Sequence, residues 1–358
     1  MITLVSGGLG FIGSAVVRRL LATTDDVIVN LDNVTYAASP ESLGRWKDHR
    51  RHVHVRADIC DAAAVRSVVG RWRPSRVMHL AAESHVDRSI DGPADFARTN
   101  VVGTQILLEA VREHWNGLEL RDKEALRFHH VSTDEVFGAL GSADPSFNER
   151  TAYDPHSPYA ASKAASDHLV RAWRHTYGLP TFVTNTTNNY GPWQFPEKLI
   201  PLLTLNALEG LPLPLYGDGS NVRDWIHVDD HAEALCLALE RGRPGETYCL
   251  GARQERTNLQ VAEAICDTLD RLWPDPRGPR RRLITLVDNR PGHDFRYAMD
   301  PSRAEQALGW KARLSFEPGL EKTLVWYLEN EAWWRPIRDR SYSGRRLGLE
   351  SAPAGHRR

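Results

Sequence analysis

A short apolar run, residues 2–6, leads into Gly7-Gly8-Leu9-Gly10-Phe11-Ile12-Gly13 and then into the helix-forming stretch SAVVRRLLA. Glycines at 7, 10 and 13 between a strand and a helix permit a tight turn, close backbone approach to a pyrophosphate and close helix–strand packing. The helix start adds free N–H groups and the positive end of its dipole. The G-x-x-G-x-x-G spacing alone also suits an ordinary glycine-rich turn. The context narrows it. A second apolar run, Val27–Leu31, ends at Asp32, roughly 20 residues past the last glycine, where a carboxylate binds the adenosine ribose hydroxyls. An acid at that point repels a 2′-phosphate, so the pattern favours NAD over NADP.

Further apolar runs recur along the first half. Val53–Val55 ends near Asp58, Arg76–Leu80 precedes Ala81-Ala82-Glu83, and Arg127–Val131 precedes Ser132-Thr133-Asp134-Glu135. Strands alternating with helical stretches predict an α/β fold, a doubly wound parallel sheet of the Rossmann type. The later half is richer in Pro and Gly over 190–225. It predicts helices over 196–208, 229–241 and 258–272 and a strand over 246–250. The expected division is a NAD-binding domain from 1–188 plus about 226–251, a smaller C-terminal substrate-binding lobe from about 189–225 plus 252–335, and a loose tail from 336–358.

The 358 residues suit two domains, or one large domain with a second lobe. With 41% hydrophobic and 25% charged residues, disorder, collagen and coiled coil are excluded as the main state. Lys plus Arg is 45 against 46 Asp plus Glu, which leaves no electrostatic footprint for nucleic acid or an anionic membrane. There is no apolar run of about 18 residues and no basic, then apolar, leader, so a cytoplasmic protein is expected. Cys60, Cys236, Cys249 and Cys266 form no Cys-x-x-Cys pair and no zinc spacing, so buried free thiols and no metal are expected.

Two further groups carry chemistry. In Ser157-Pro158-Tyr159-Ala160-Ala161-Ser162-Lys163, the i, i+4 spacing puts Tyr159 and Lys163 on one helical face. The ammonium would lower the phenol's pKa, making it a base towards a sugar hydroxyl. Thr133-Asp134-Glu135 follows a buried strand at its C-terminal end, the edge where ligands bind in open α/β sheets. Two adjacent acids in different environments can hold opposite protonation states; they can equally begin a solvated loop.

With GGLGFIGSAVVR, HLAAESHVDRSI, HHVSTDEVFG, SPYAASKAASDHLVRAW, TNTTNNYGPWQFPEKLIPL and RDWIHVDDHAEAL, the chain resembles the extended short-chain dehydrogenase/reductase superfamily and, within it, the dTDP-glucose 4,6-dehydratase family, from residue 4 to about 330. The resemblance implies a catalytic set of Thr133, Asp134, Glu135, Tyr159 and Lys163. Tyr159 takes the proton of the glucose 4-hydroxyl while Thr133 hydrogen-bonds that oxygen, and hydride passes from C4 to NAD. The new ketone acidifies C5–H, Glu135 removes that proton, Asp134 protonates the leaving 6-hydroxyl, hydride returns to C6 and protonation at C5 completes the 4-keto-6-deoxy sugar. Gly7, Gly10, Phe11, Ile12, Gly13, Asp32, Asn33, Asp58, Ile59, Ala81, Ala82, Ser84, Thr99 and Asn189, with Tyr159 and Lys163, are implied on the cofactor side. Ser84, Thr133, Asn188, Lys198, Leu199, Pro214, Tyr216, Arg223, Asn258, Arg290, His293 and Tyr297 are implied on the sugar-nucleotide side.

The family pattern is departed from at Asn33 (commonly lysine), Phe137 (usually tyrosine) and Trp193 (usually a smaller aromatic). UDP-sugar 4-epimerases and decarboxylases of the superfamily share the Thr, Tyr and Lys but need no acid pair. A silent NAD-binding regulator would be expected to lose Tyr159 or Lys163. The resemblance also implies a homodimer built on helices around 95–114 and 158–177. Those apolar faces equally suit packing on the sheet.

Overall fold

The computed structural model describes residues 1–340. Seven parallel strands form the central sheet, in the order β3-β2-β1-β4-β5-β6-β10. They are β1 (Ile2–Ser6), β2 (Val27–Asp32), β3 (His52–Arg56), β4 (Arg76–His79), β5 (Arg127–Thr133), β6 (Thr181–Thr186) and β10 (Thr247–Leu250). β1, β4, β5 and β6 are buried along nearly their whole length. This is the continuous apolar signature of strands covered on both faces. One face packs the helices Phe11–Thr23 and Val228–Arg241, with Leu20, Leu21, Leu235 and Leu239 in its core. The other packs Ala62–Trp72 and Thr104–Asn116, with Val65, Val69, Leu107 and Val111. Each of these side chains contributes about 1.5–3 kcal/mol on full burial. The strand order reverses between β1 and β4, which opens a crevice at the strands' carboxyl ends.

A second layer sits beyond that crevice. β9 (Val222–His227) pairs with β7 (Asn188–Tyr190), β11 (Glu255–Thr257) and β13 (Arg296–Tyr297), while β8 (Leu213–Tyr216) pairs with β12 (Ile284–Val287). Leu203, Ile265, Phe316 and Leu324 form its core, from the helices Leu199–Glu209, Asn258–Leu272 and Phe316–Glu329.

Several local expectations are corrected. The helix expected from 196 starts at Leu199, because residues 196–198 form a turn that ends in the cap Lys198, whose backbone is extended. The helix expected over 95–114 is interrupted. Pro93–Phe96 leads into a π-helical turn, Ala97–Gly103, before Thr104–Asn116. Such turns cluster at functional sites. Here the turn carries Asn100, whose amide bonds Glu83 N (2.9 Å), Glu83 O (3.0 Å) and Ser162 Oγ (2.8 Å). The expected tail begins as helix, since residues 336–340 complete Glu331–Arg340 and Arg338 is buried against Asn206 and Glu209. Residues 341–358 of that expectation lie outside the described residues. The four cysteines are free thiols, but only Cys249 and Cys266 are buried; Cys60 and Cys236 are partly exposed. Among the described residues no helix is long and apolar enough to cross a membrane.

Candidate active site

A cleft of about 920 Å³ runs along the carboxyl ends of the central strands. Gly7, Gly10, Phe11, Ile12 and Gly13 line it at the glycine turn, Asp32, Asn33, Asp58 and Ile59 at the ends of β2 and β3, and Ala81, Ala82, Ser84, Thr99 and Asn189 along its length. Gly7 has φ +75, and a Cβ there would meet Ala81 N at 2.6 Å. Gly10 caps the helix Phe11–Thr23 with no side-chain bond to its first N–H groups. Asp32 accepts from Leu9 N (2.9 Å) and Val34 N (2.7 Å), tying the glycine turn to the end of β2. Asn33 donates to Asp58 Oδ2 at 3.4 Å. A cradle that a side chain would fill, an uncapped helix start and a carboxylate at the second strand fit a dinucleotide with its pyrophosphate on the helix and its ribose at Asp32.

At the cleft's inner end, β5 closes on Thr133 and turns at once through Asp134–Phe137. Thr133 Oγ1 accepts from Glu135 N and donates to Asp134 Oδ1, both at 3.3 Å. Ser157 caps the next helix through Ala160 N (3.0 Å) with Pro158 in its first turn, and Tyr159 and Lys163 then face the cleft, both buried. Burial, reinforced by Glu135, pushes the Asp134 carboxyl up to about 8, so it holds a proton at neutral pH. Burial also raises Glu135, but Arg290, Lys198 and Arg223 oppose that shift. The two neighbouring acids therefore meet different surroundings, as an acid and a base should.

One expected effect is corrected. The Tyr159 phenol lies above its ordinary value, because burial and then Glu135 disfavour the phenolate, with the Thr133 hydroxyl acting the other way. Lys163 turns its Nζ to Val131 O (2.9 Å), and burial pulls it down to about 8.

The residues expected on the sugar-nucleotide side divide. Ser84, Thr133, Asn188 and Lys198 line the cleft. Tyr216 and Arg290 lie outside its lining and converge on Asp87, at 2.9 and 2.8 Å. His293 packs edge-on to Tyr216 (5.7 Å), and Arg223 lies 4.2 Å over the Tyr297 ring. Leu199 starts the helix after Lys198, Pro214 sits in the β8–β12 ladder, and Asn258 is buried at the start of its helix. The structure brings neither these three nor Arg223, His293 and Tyr297 to the cleft lining.

Other cleft residues escaped sequence reasoning. Glu197 accepts from Tyr36 OH (3.2 Å) and Arg88 Nε (2.9 Å), and Arg88 lies 4.0 Å over the Tyr36 ring. Asp87 and Arg88 sit in the quoted HVDRSI piece, but their partners are 109–203 residues away, and no local pattern signals such a meeting. Phe137 needs no hydroxyl here, because it is buried on Phe147 (5.2 Å) and Tyr153 (5.1 Å). Trp193 takes φ +70 and packs on Trp326 (4.7 Å) and Trp333 (5.4 Å).

Residues 4–323 match the family model described as GDP-mannose 4,6 dehydratase. A dTDP-glucose 4,6-dehydratase of Escherichia coli is 54% identical over 357 residues, covering 97% of this chain and 99% of that protein. The crystal structure of DesIV, the dTDP-glucose 4,6-dehydratase of Streptomyces venezuelae, has a TM-score of 0.86 at 43% identity, covers 94% of this chain and 100% of its own, and contains NAD. UDP-glucose 4-epimerase from Thermotoga maritima shares the fold more distantly, at TM-score 0.80 and 28% identity over 92% of this chain and 99% of its own. The architecture is thus common to several chemistries, whereas the sequence match extends over the Asp134–Phe137 turn and both layers: the chain belongs to the dTDP-glucose 4,6-dehydratase family.

Proposed function

We propose that this chain converts dTDP-glucose into dTDP-4-keto-6-deoxyglucose and water, with NAD held in the 920 Å³ cleft. The observation that carries the proposal is the Asp134–Glu135 pair, the first acid buried and the second half-buried, beside Thr133 and Tyr159. Oxidation alone, or epimerisation, needs one base at O4; loss of water across C5–C6 needs a second base and an acid. NAD supplies the hydride acceptor and donor when bound. Tyr159 takes the O4 proton, Thr133 holds O4, and Lys163 supports the phenol and the nicotinamide ribose. Glu135 takes the C5 proton, Asp134, protonated at neutral pH, gives its proton to O6 so that water leaves, and a proton returned to C5 after the hydride reaches C6 completes the product. Arg290, Arg223 and Lys198, whose charges reach Glu135, suit a diphosphate entering beside the acids.

The seven-stranded layer is the proposed cofactor domain, and the layer built on β9 the proposed sugar-nucleotide lobe. Val102 and Tyr177 are exposed on the π turn and on Pro158–Tyr177, which supports a homodimer on those helices. A cytoplasmic enzyme remains the expected setting.

The deciding experiment incubates the purified protein with dTDP-glucose and reads product mass. Loss of one water, an alkali-induced 4-keto absorbance and no net NADH are expected. A mass-neutral isomer would overturn the reading in favour of epimerase chemistry.

A further inference from the structure

Behind Lys163 lies a buried carboxylate to which the proposed chemistry assigns no task. Asp167 follows Lys163 by one turn and Tyr159 by two on the helix Pro158–Tyr177, so all three share a face. It is completely buried. Tyr153 OH (2.8 Å) and Asn185 Nδ2 (3.2 Å) both donate to its Oδ2, and His130 Nε2 lies 3.2 Å from its Oδ1. His130 Nε2 is in turn 3.4 Å from Lys163 Nζ, and Asn185 Nδ2 also donates to Thr133 O at 3.0 Å. A buried charge held by two or more donors costs several kcal/mol to desolvate unless an opposite charge offsets it. Two cations of its own helix flank it, Lys163 one turn before, through His130, and Arg171 one turn after, through Tyr153; of the two only Lys163 is buried.

We infer that Asp167 is a positioning residue for the oxidation step: its carboxylate keeps Lys163 charged beneath Tyr159 and, through Asn185, fixes the end of β5 that presents Thr133. Burial drives Lys163 towards its neutral amine, and Asp167 is the group that opposes this. Around the pair stand His79 and His130 from β4 and β5, Tyr153 from the preceding loop, Tyr159 and Arg171 from the same helix, and Asp134 and Glu135 beyond Tyr159. Burial keeps both histidines neutral, His130 at about 4 and His79 well below its ordinary value, and raises both phenols, so the Tyr159 phenolate that takes the O4 proton depends on a charged Lys163. Arg171 bonds Tyr153 OH at 2.8 Å. The groups left to titrate near pH 8 are Lys163 and Asp134. A substrate that needs no acid at O6 separates them.

The inference rests on the reading of Tyr159 and Lys163 as the oxidation pair, so wild-type turnover of dTDP-glucose is measured first. Its absence sinks that reading, not this one alone. The probe for Asp167 is dTDP-6-deoxyglucose, which can lose hydride from C4 but has no hydroxyl to expel. The holoenzyme is mixed with it between pH 6 and 9, and the rise at 340 nm is timed. Asp167→Asn should move the alkaline inflexion of this rate down by about one unit, the low end of what a neighbouring opposite charge contributes. The variant is then about tenfold slower at pH 9 but within about twofold of wild type at pH 6. Asp167→Glu, which keeps the charge, should restore the inflexion. Uniform slowing at every pH, with no movement of the inflexion, would show a merely structural residue and overturn the inference. A readout independent of turnover uses [13C]lysine-labelled protein. Lys163, one of six lysines, should titrate at or above about pH 8 in the wild type. Titration below pH 7 there also overturns the inference, even should Asp167→Asn fail to fold.

Discussion

At the scale of single residues, the chemistry turns on two adjacent carboxyls that the fold treats differently. Asp134 is nearly sealed, and its Oδ2 has no hydrogen-bond partner among the described residues. Glu135 sits closer to solvent and to three cations. Glu135→Gln keeps shape but cannot take the C5 proton. It should lower water loss by roughly 10²–10⁴, the usual range for a lost general base, while oxidation of dTDP-6-deoxyglucose stays within about tenfold of wild type. Comparable loss of both steps would remove Glu135 from its proposed role. The pH dependence has a definite sign. Asp134 must hold its proton and Lys163 its charge, and both lie at about 8. Dehydration should therefore fall above pH 8 with a log–log slope of about −2, whereas oxidation of the 6-deoxy sugar should fall with about −1, because only Lys163 matters to it. Equal slopes for the two substrates would contradict the division of labour.

At the scale of elements, the segment before the helix Leu199–Glu209 works as a strap. Trp193 anchors it on Trp326 and Trp333, Tyr327 OH donates to Gln194 O at 2.6 Å, and Glu197 crosses to Tyr36 and Arg88 on the far side of the cleft. Lys198 donates to Ser84 O at 2.7 Å. A cofactor restored in every turnover has no need to leave, and a strap over its cleft slows its escape. Hydrogen bonds to a charged group are worth about 1.5–3 kcal/mol. Glu197→Ala should therefore raise the loss of NAD from the holoenzyme by roughly tenfold or more, measured by repeated ultrafiltration and absorbance of the retained protein; unchanged retention would deny the strap that role. None of this was legible in the sequence. The cofactor side was more legible, because its residues sit in unbroken pieces at strand ends, where Gly7 and Asp32 carry their own local signal and Ala81 follows from the resemblance. Thr133 and the acid pair were placed by their strand end, but the spacing left a solvated loop equally open and only the resemblance gave them a role. Asp87 with Arg290, Glu197 with Tyr36, and Asp167 with His130 join distant segments, and only the packed sheet brings them together. The π turn at Ala97–Gly103 was hidden because apolar spacing is read with one period, and an inserted residue shifts that period without changing composition.

For the molecule as a whole, the remaining question is how the outward faces of two helices bear on the site they carry. The helix Pro158–Tyr177 begins at the proposed base and ends at Tyr177, which is 43% exposed with Arg112 4.6 Å over its ring. Val102, 46% exposed, lies three residues beyond Thr99 of the cleft lining. An isolated exposed side chain needs no explanation, but two large apolar ones on neighbouring helices suit a partner surface. The protein should sediment at twice its chain mass, and Val102→Asp should shift it towards the single chain. The two positions should differ in their effect on catalysis. At 1.5 Å per residue, Tyr177 stands about 27 Å along its helix from Tyr159, so Tyr177→Ser should weaken association with little effect at the site. Val102→Asp acts one turn from Thr99 and Asn100, whose amide holds the Glu83–Ser84 edge of the cleft. It should weaken NAD retention as well as association. A wild-type chain that sediments singly would remove the dimer; a dimer that Val102→Asp leaves intact would move the interface to another face.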